Sequence, residues 1–199
     1  MTAMKPSKSR PKPKDSPRLG ANDWVRGALD LLAEEGVDGV RIEVLAKRLG
    51  VTKGSFYWHF KDRQGFLRAM LDDWRRRATL DIINRIESGE EPPQERLRTL
   101  LHLPFRGGRS KRGADVELSI RLWGRTDMVA RDTLAEIDKL RLRYISKLFA
   151  EAGFAVKEAE SRAVLAYAYM RVAVSLIDDQ AEMIERCETL LLTSTAAQA

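Results

Sequence analysis

Apolar residues recur three and four positions apart along most of the chain, and no stretch alternates as a half-buried strand would. That period predicts helices from residue 22 onward and an all-α fold. Trp24, Ala28, Leu31 and Leu32 make one stripe, behind the cap-type residues Asn22 and Asp23, and Gly36 stands where a helix should stop. Ile42, Leu45, Ala46 and Leu49 share one face of a second, short helix ending at Gly50. A third short helix starts at Thr52. A longer fourth begins near Asp62, carries Phe66, Met70, Leu71 and Trp74 on one face, and runs to about Ile86. Beyond the breaker "SGEEPPQ", helices are expected over 93–102, 115–124, 127–152, 156–178 and 180–193, with "LPFRGGRSKRG" as a loop.

Composition adds a division of labour. The first 20 residues are rich in Pro, Ser and Lys and hold little to bury, so residues 1–20 are expected to be a disordered basic tail. Residues 1–70 hold 14 Lys and Arg against 8 Asp and Glu, and the remainder 21 against 21, so the formal net charge of +6 sits entirely in the first third. Such asymmetry suits a polyanionic partner at one end of the molecule, although the tail supplies much of it. The rest has the 44% hydrophobic content of a globular chain with a core. A lone Cys187 fits a reducing compartment, and the chain opens on no secretory leader, so a cytoplasmic, nucleoid-associated protein is expected. The longest apolar run, from Ala163 to Ile177, is too short to span a bilayer and carries Arg171 in its middle, so no membrane partner is expected.

Helical phase sorts "LAKRLGVTKGSFYWHFKDRQGFL" into two faces. Leu45, Ala46, Leu49, Val51, Phe56 and Phe60 fall on a core side, with small Ala46 allowing a close helix crossing and Gly50 a sharp turn. Thr52 is placed as an N-cap, and Val51 with Phe56 as a hydrophobic staple. Lys53, Ser55, Tyr57, Trp58 and His59 remain on the other side. Two short helices joined at a glycine, the second polar, basic and aromatic, make a helix-turn-helix, which lays its second helix in a major groove.

From Trp24 to Trp74, and above all in the "GxxxxxFYxHF" arrangement after the turn, the chain resembles the tetracycline-repressor (TetR) family of bacterial transcriptional regulators. The resemblance implies that Thr52, Lys53 and Ser55 approach base edges or nearby phosphates. Tyr57, His59 and Lys61 would then bind backbone phosphates, and Trp58 would pack on a thymine methyl or a sugar. Family members often open the second helix with Ser or Thr. Here Arg41 stands there, which loses a hydroxyl cap and offers a guanidinium to a phosphate. The domains expected are the tail at 1–20, a three-helix helix-turn-helix DNA-binding domain at 21–66 and a larger helical ligand-binding and dimerisation domain at 67–199.

Specific readers of this kind work in pairs, on half-sites ~34 Å apart. "RAVLAYAYMRVAVSLI" is apolar almost all round, as a helix buried on more than one side is. Leu165, Tyr169, Val172 and Leu176, with Met183 and Leu190 of the last helix, are the expected homodimer contacts, forming a four-helix interface as in the family. By resemblance the middle helices enclose a pocket for a small-molecule effector that the sequence does not identify. Trp74, Leu101, Phe105, Leu118, Leu122, Trp123 and Tyr144 are candidates for its wall, and Arg121 and Arg125 for polar contacts. No P-loop, nucleophile elbow or nucleophile–base set is present, and His59 and His102 have no ligand-type spacing, so no enzyme, metal or cofactor is expected. The expected function is a ligand-responsive regulator, most simply a repressor, binding a palindromic double-stranded DNA operator as a homodimer. The alternatives are an activator of the same fold or a DNA architectural protein without an effector.

Overall fold

The computed structural model describes residues 19–177 and 181–193; the expected tail lies outside these residues except for Leu19 and Gly20. Among the described residues there are ten α-helices and no strand. The first four are α1 (Ala21–Gly39), α2 (Ile42–Leu49), α3 (Lys53–Phe56) and α4 (Arg63–Arg75). A π-turn over Arg76–Leu80 carries α4 into α5 (Asp81–Glu87). Then come α6 (Pro93–His102), a 3-10 turn at Leu103–Phe105, α7 (Gly108–Trp123), α8 (Met128–Glu151), α9 (Val156–Leu176) and α10 (Ala181–Leu192).

Local chemistry explains most boundaries, with some shifts from expectation. The N-cap of α1 is Gly20, not Asn22 or Asp23; the Gly20 amide donates to Asp23 Oδ2 at 2.9 Å, so Asp23 closes the cap from inside the first turn. Helical geometry breaks at Gly36, whose φ of 72° suits a residue without Cβ. Gly50 ends α2 at φ 69°, and the amide of Val51 returns to the carbonyl of Ala46 at 3.0 Å. α1 and α2 approach closely at Gly27, where a Cβ would sit 3.0 Å from Leu45 Cδ1. Asp62 caps α4, accepting from the Gly65 amide at 2.7 Å.

Glycines misled in one place. "LPFRGGRSKRG" reads as a loop, yet α7 already begins at Gly108, seven residues before the expected start. Its first turns are held from outside the segment: Arg112 reaches Asp30 Oδ1 at 2.7 Å and Glu34 Oε1 at 3.2 Å, both on α1, along which α7 packs.

Two apolar clusters form the interior. The first joins α1–α4 with Val116, Ile120 and Trp123 of α7 and Ala130, Leu134 and Ile137 of α8. The second gathers Ile86 of α5, Leu97, Leu100 and Leu101 of α6, Tyr144, Ile145, Leu148 and Phe149 of α8, and Ala159, Ala163 and Ala166 of α9. The expected division between residues 66 and 67 falls inside α4 and inside the first cluster, because Leu67, Met70, Leu71 and Trp74 pack on the same core as Phe66. The clusters part further along, at a charged layer. On α8, Arg141 sits one helical turn beyond Ile137 and one before Ile145, and beside it lie Thr79 of the π-turn and Glu117 of α7, both buried.

Candidate nucleic-acid interface

Phe56 organises the N-terminal helices. It is fully buried, and four aromatic rings surround it: Trp24 at 5.4 Å, Tyr57 at 5.3 Å, Phe60 at 5.2 Å and Phe66 at 5.1 Å between centroids. Trp24 and Phe66 meet it edge-to-face, the arrangement the ring quadrupole favours. Since α3 has only four residues, its own hydrogen bonds hold it weakly; this aromatic knot fixes its direction. The bonds from His59 and Phe60 amides back to the Phe56 carbonyl extend the turn to Phe60.

That anchoring turns the opposite face outward. Trp58 is 87% exposed and Tyr57 55%. Thr52, Lys53, His59, Lys61 and Arg41 are exposed as well, and Ser55 partly so. All eight residues expected to meet DNA are therefore at least partly exposed; seven fall between Thr52 and Lys61, and Arg41 stands at the start of α2. An indole left almost wholly in water forgoes burial energy of about 2 kcal/mol.

Several of these side chains are already engaged. The expected hydroxyl cap is absent: Thr52 is the N-cap of α3 but its side chain accepts no amide, and Ser55 Oγ instead donates to the Thr52 carbonyl at 2.7 Å. Arg41, the N-cap of α2, likewise makes no side-chain cap bond. His59 Nε2 lies 3.1 Å from the carbonyl oxygen of Leu19, which can only accept, so Nε2 carries the proton. To donate this N–H to a phosphate, His59 must release Leu19. Lys53 is ion-paired with Glu43 of α2, a residue the sequence reading passed over. Their mutual hydrogen bond raises the lysine and lowers the carboxyl, so both stay charged near neutrality.

The expected effector wall does not converge. Leu118 and Leu122 are more than half exposed, because the inner face of α7 is taken by Val116, Ile120 and Trp123. Trp74 and Trp123 belong to the first apolar cluster, Leu101 and Tyr144 to the second, and Arg125 is exposed. Phe105 alone of the nine lines a cleft of about 530 Å³ between α6, the 3-10 turn and α10, together with Arg98, His102, Arg106, Glu185 and Glu188.

Arg121 belongs to the charged layer. Its Nη1 and Nη2 donate to Asp138 at 2.9 and 2.8 Å, and Nη2 also to Glu117 at 3.0 Å. Arg141 donates to both Glu117 oxygens at 2.9 Å, and Arg171 pairs with the same carboxylate. Burial pushes the Glu117 carboxyl up, but the fields of Arg141 and Arg171 outweigh it and bring it down to about 2. Arg141 also donates to the π-turn, Nε to Thr79 Oγ1 at 2.8 Å and Nη2 to the Ala78 carbonyl at 3.0 Å. One guanidinium thus ties α8 to the junction of α4 and α5. Tyr167 of α9 completes the layer, donating its hydroxyl to Asp138 at 2.6 Å while accepting from Arg141 at 2.9 Å.

A buried aromatic knot holding a short outward helix of cations and aromatics, ahead of a larger helical body, defines an all-α helix-turn-helix protein. Residues 25–70 match the family model for bacterial regulatory proteins of the tetR family, which marks that N-terminal segment, about a quarter of the chain, as a domain of this kind. The class A tetracycline repressor of transposon 1721 from Escherichia coli is 46% identical over 55 residues, 28% of this chain and 26% of that protein. The chain thus matches about a quarter of the length of these curated relatives. Two solved structures extend the likeness of fold to most of the chain. A transcriptional regulator from Rhodococcus sp. Rha1 superposes with a TM-score of 0.66 at 22% identity, covering 87% of this chain and 94% of that one. A Saccharomonospora viridis protein described as a transcriptional regulator, solved in complex with choline, gives 0.69 at 19% identity, covering 86% and 92%. Among the described residues no helix is long and apolar enough to cross a membrane.

Proposed function

We propose that the protein is a DNA-binding transcriptional regulator that occupies a palindromic operator as a homodimer and is released by a small-molecule effector, acting as a repressor. The observation that carries this reading is the two-faced turn around Phe56: one side a closed aromatic core, the other a water-exposed row of Tyr57, Trp58, His59 and Lys61. Phosphate contacts from Lys61, Tyr57 and Arg41 would set position, and groups at the start of α3 would read bases.

The pairing surface is supported by α9. Leu165, Val172 and Leu176 are exposed on one side of that helix, with Val164 and Ala168 beside them, and no charge interrupts the stripe. Leu190 of α10 is 76% exposed. Tyr169 and Met183, also expected at the interface, are only partly exposed. A charge-free apolar stripe of this length on a soluble chain fits a second copy of itself.

Effector control would run through Arg141. A ligand in the larger helical region that binds one arrangement of α8 better than another would change the grip of Arg141 on the π-turn. It would thereby tilt α4, whose Phe66 rests on Phe56. The head-to-head spacing would then no longer match the operator.

The test is selection of DNA from a random pool by the full chain, followed by binding to the selected duplex at several salt concentrations. A palindrome bound with a steep salt dependence, and sedimentation as a dimer at micromolar concentration, are expected. Binding indifferent to sequence, or a monomer throughout, would overturn the reading.

A further inference from the structure

Between Gly39 and Lys61 the chain has five cations, Arg41, Lys47, Arg48, Lys53 and Lys61, and one carboxylate, Glu43. Glu43 lies in the first turn of α2, with its side chain 64% exposed, and pairs with Lys53 at the first residue of α3. The pair therefore bridges the two helices of the motif at the point where the reading helix begins. A carboxylate on a surface meant for a polyanion repels phosphates unless it is neutralised and meets a donor. Lys53 neutralises it, but one ammonium leaves most of its acceptor positions open. Along a major groove the donors are base amino groups, and cytosine N4 is the one that carboxylates favour, while guanine O6 and N7 accept from lysine. In a single cytosine–guanine pair that amino group and that O6 lie side by side.

We infer that the Glu43–Lys53 ion pair reads one cytosine–guanine base pair in each half-site, Glu43 accepting from cytosine N4 and Lys53 donating to guanine O6 or N7. The inference rests on the DNA-binding reading above and adds a specificity-determining residue to it. The competing explanation is local: α2 has no side-chain cap, and an acid in its first turn complements the helix dipole. That role affects stability and carries no base preference, so the two separate by experiment.

Operator selection with the full chain, E43Q and E43A is the test. Wild type should select cytosine–guanine at one symmetric position. E43Q should shift that position towards adenine, which a glutamine amide meets through N6 and N7. E43A should flatten the preference by about tenfold while leaving the other positions unchanged. With Lys53 freed for a phosphate, E43A should also bind unselected DNA more tightly and with a steeper salt dependence. Unchanged base preferences in both variants, with only a lower melting temperature, would overturn the inference and leave the operator reading standing. Failure of wild type to select any palindrome would overturn both.

Discussion

Two clusters of charge in this molecule are built in opposite ways. At the reading end, cations lie in water on one side of a buried aromatic knot, with Glu43 as the single nearby acid among residues 39–61. In the charged layer, Arg121, Arg141 and Arg171 converge on Glu117 and Asp138, and Tyr167 and the π-turn also accept from Arg141. The first arrangement leaves charge in water, where a partner can reach it. The second takes charge out of water, which only dense pairing can offset. The contrast teaches that exposure, rather than residue type, separates an arginine or lysine that binds something else from one that binds its own chain.

Removing the centre of either cluster should cost the most. Phe56→Ala is expected to destabilise the fold by about 3–5 kcal/mol, since it empties a site that four rings enclose. Glu117→Ala should cost a similar ~3–5 kcal/mol, because it strands guanidinium groups in a partly dry layer. Thermal unfolding measures both. A loss below about 1 kcal/mol for Glu117→Ala would mean the layer is wetter than its burial implies, and the comparison would fail.

Acid titration sharpens the same point. The Glu117 carboxyl is lowered from 4.5 to about 2 in the fold, so its contribution is fully present above 4.5 and fades as pH falls through about 2. The size of that contribution is about 3 kcal/mol. Wild type should lose stability across this window more steeply than Glu117→Gln, compared by denaturant midpoints at each pH. Parallel curves would sever the link to Glu117.

Smallest in stability, though not in function, are changes on the outer face. Trp58→Ala and Lys53→Ala should leave the unfolding midpoint within about 0.5 kcal/mol of wild type. Each should weaken operator binding by about 1–3 kcal/mol. A Trp58→Ala protein that keeps full operator affinity would mark the indole as idle surface.

Much of the reading end was legible in the chain. Gly50 marks the turn, and the period places Phe56 and Phe60 on one side and Tyr57, Trp58 and His59 on the other. These are short-range facts, set by helical phase within about ten residues. Glu43 could have been noticed as the one acid in a basic stretch, but its pairing with Lys53 depends on how α2 crosses α3. Arg112 illustrates a different limit: glycines at 107 and 108 signal a loop, while partners on α1, some eighty residues earlier, make it helix. The residues expected to line an effector wall are dispersed for a similar reason. Aromatic and apolar residues on successive helices say which faces are buried, not which of two cores receives them.

By itself, then, the sequence determined the all-helical plan, the helix-turn-helix and the split of its second helix into core and contact faces, because those follow from local period and from glycine at one turn. Tertiary structure alone decided where the two apolar cores part, that Arg141 of α8 clasps the π-turn between α4 and α5, and that Glu117 gathers three arginines. Those pairings join residues from 4 to 63 positions apart, and the long-range ones exist only because packing removes water from between them.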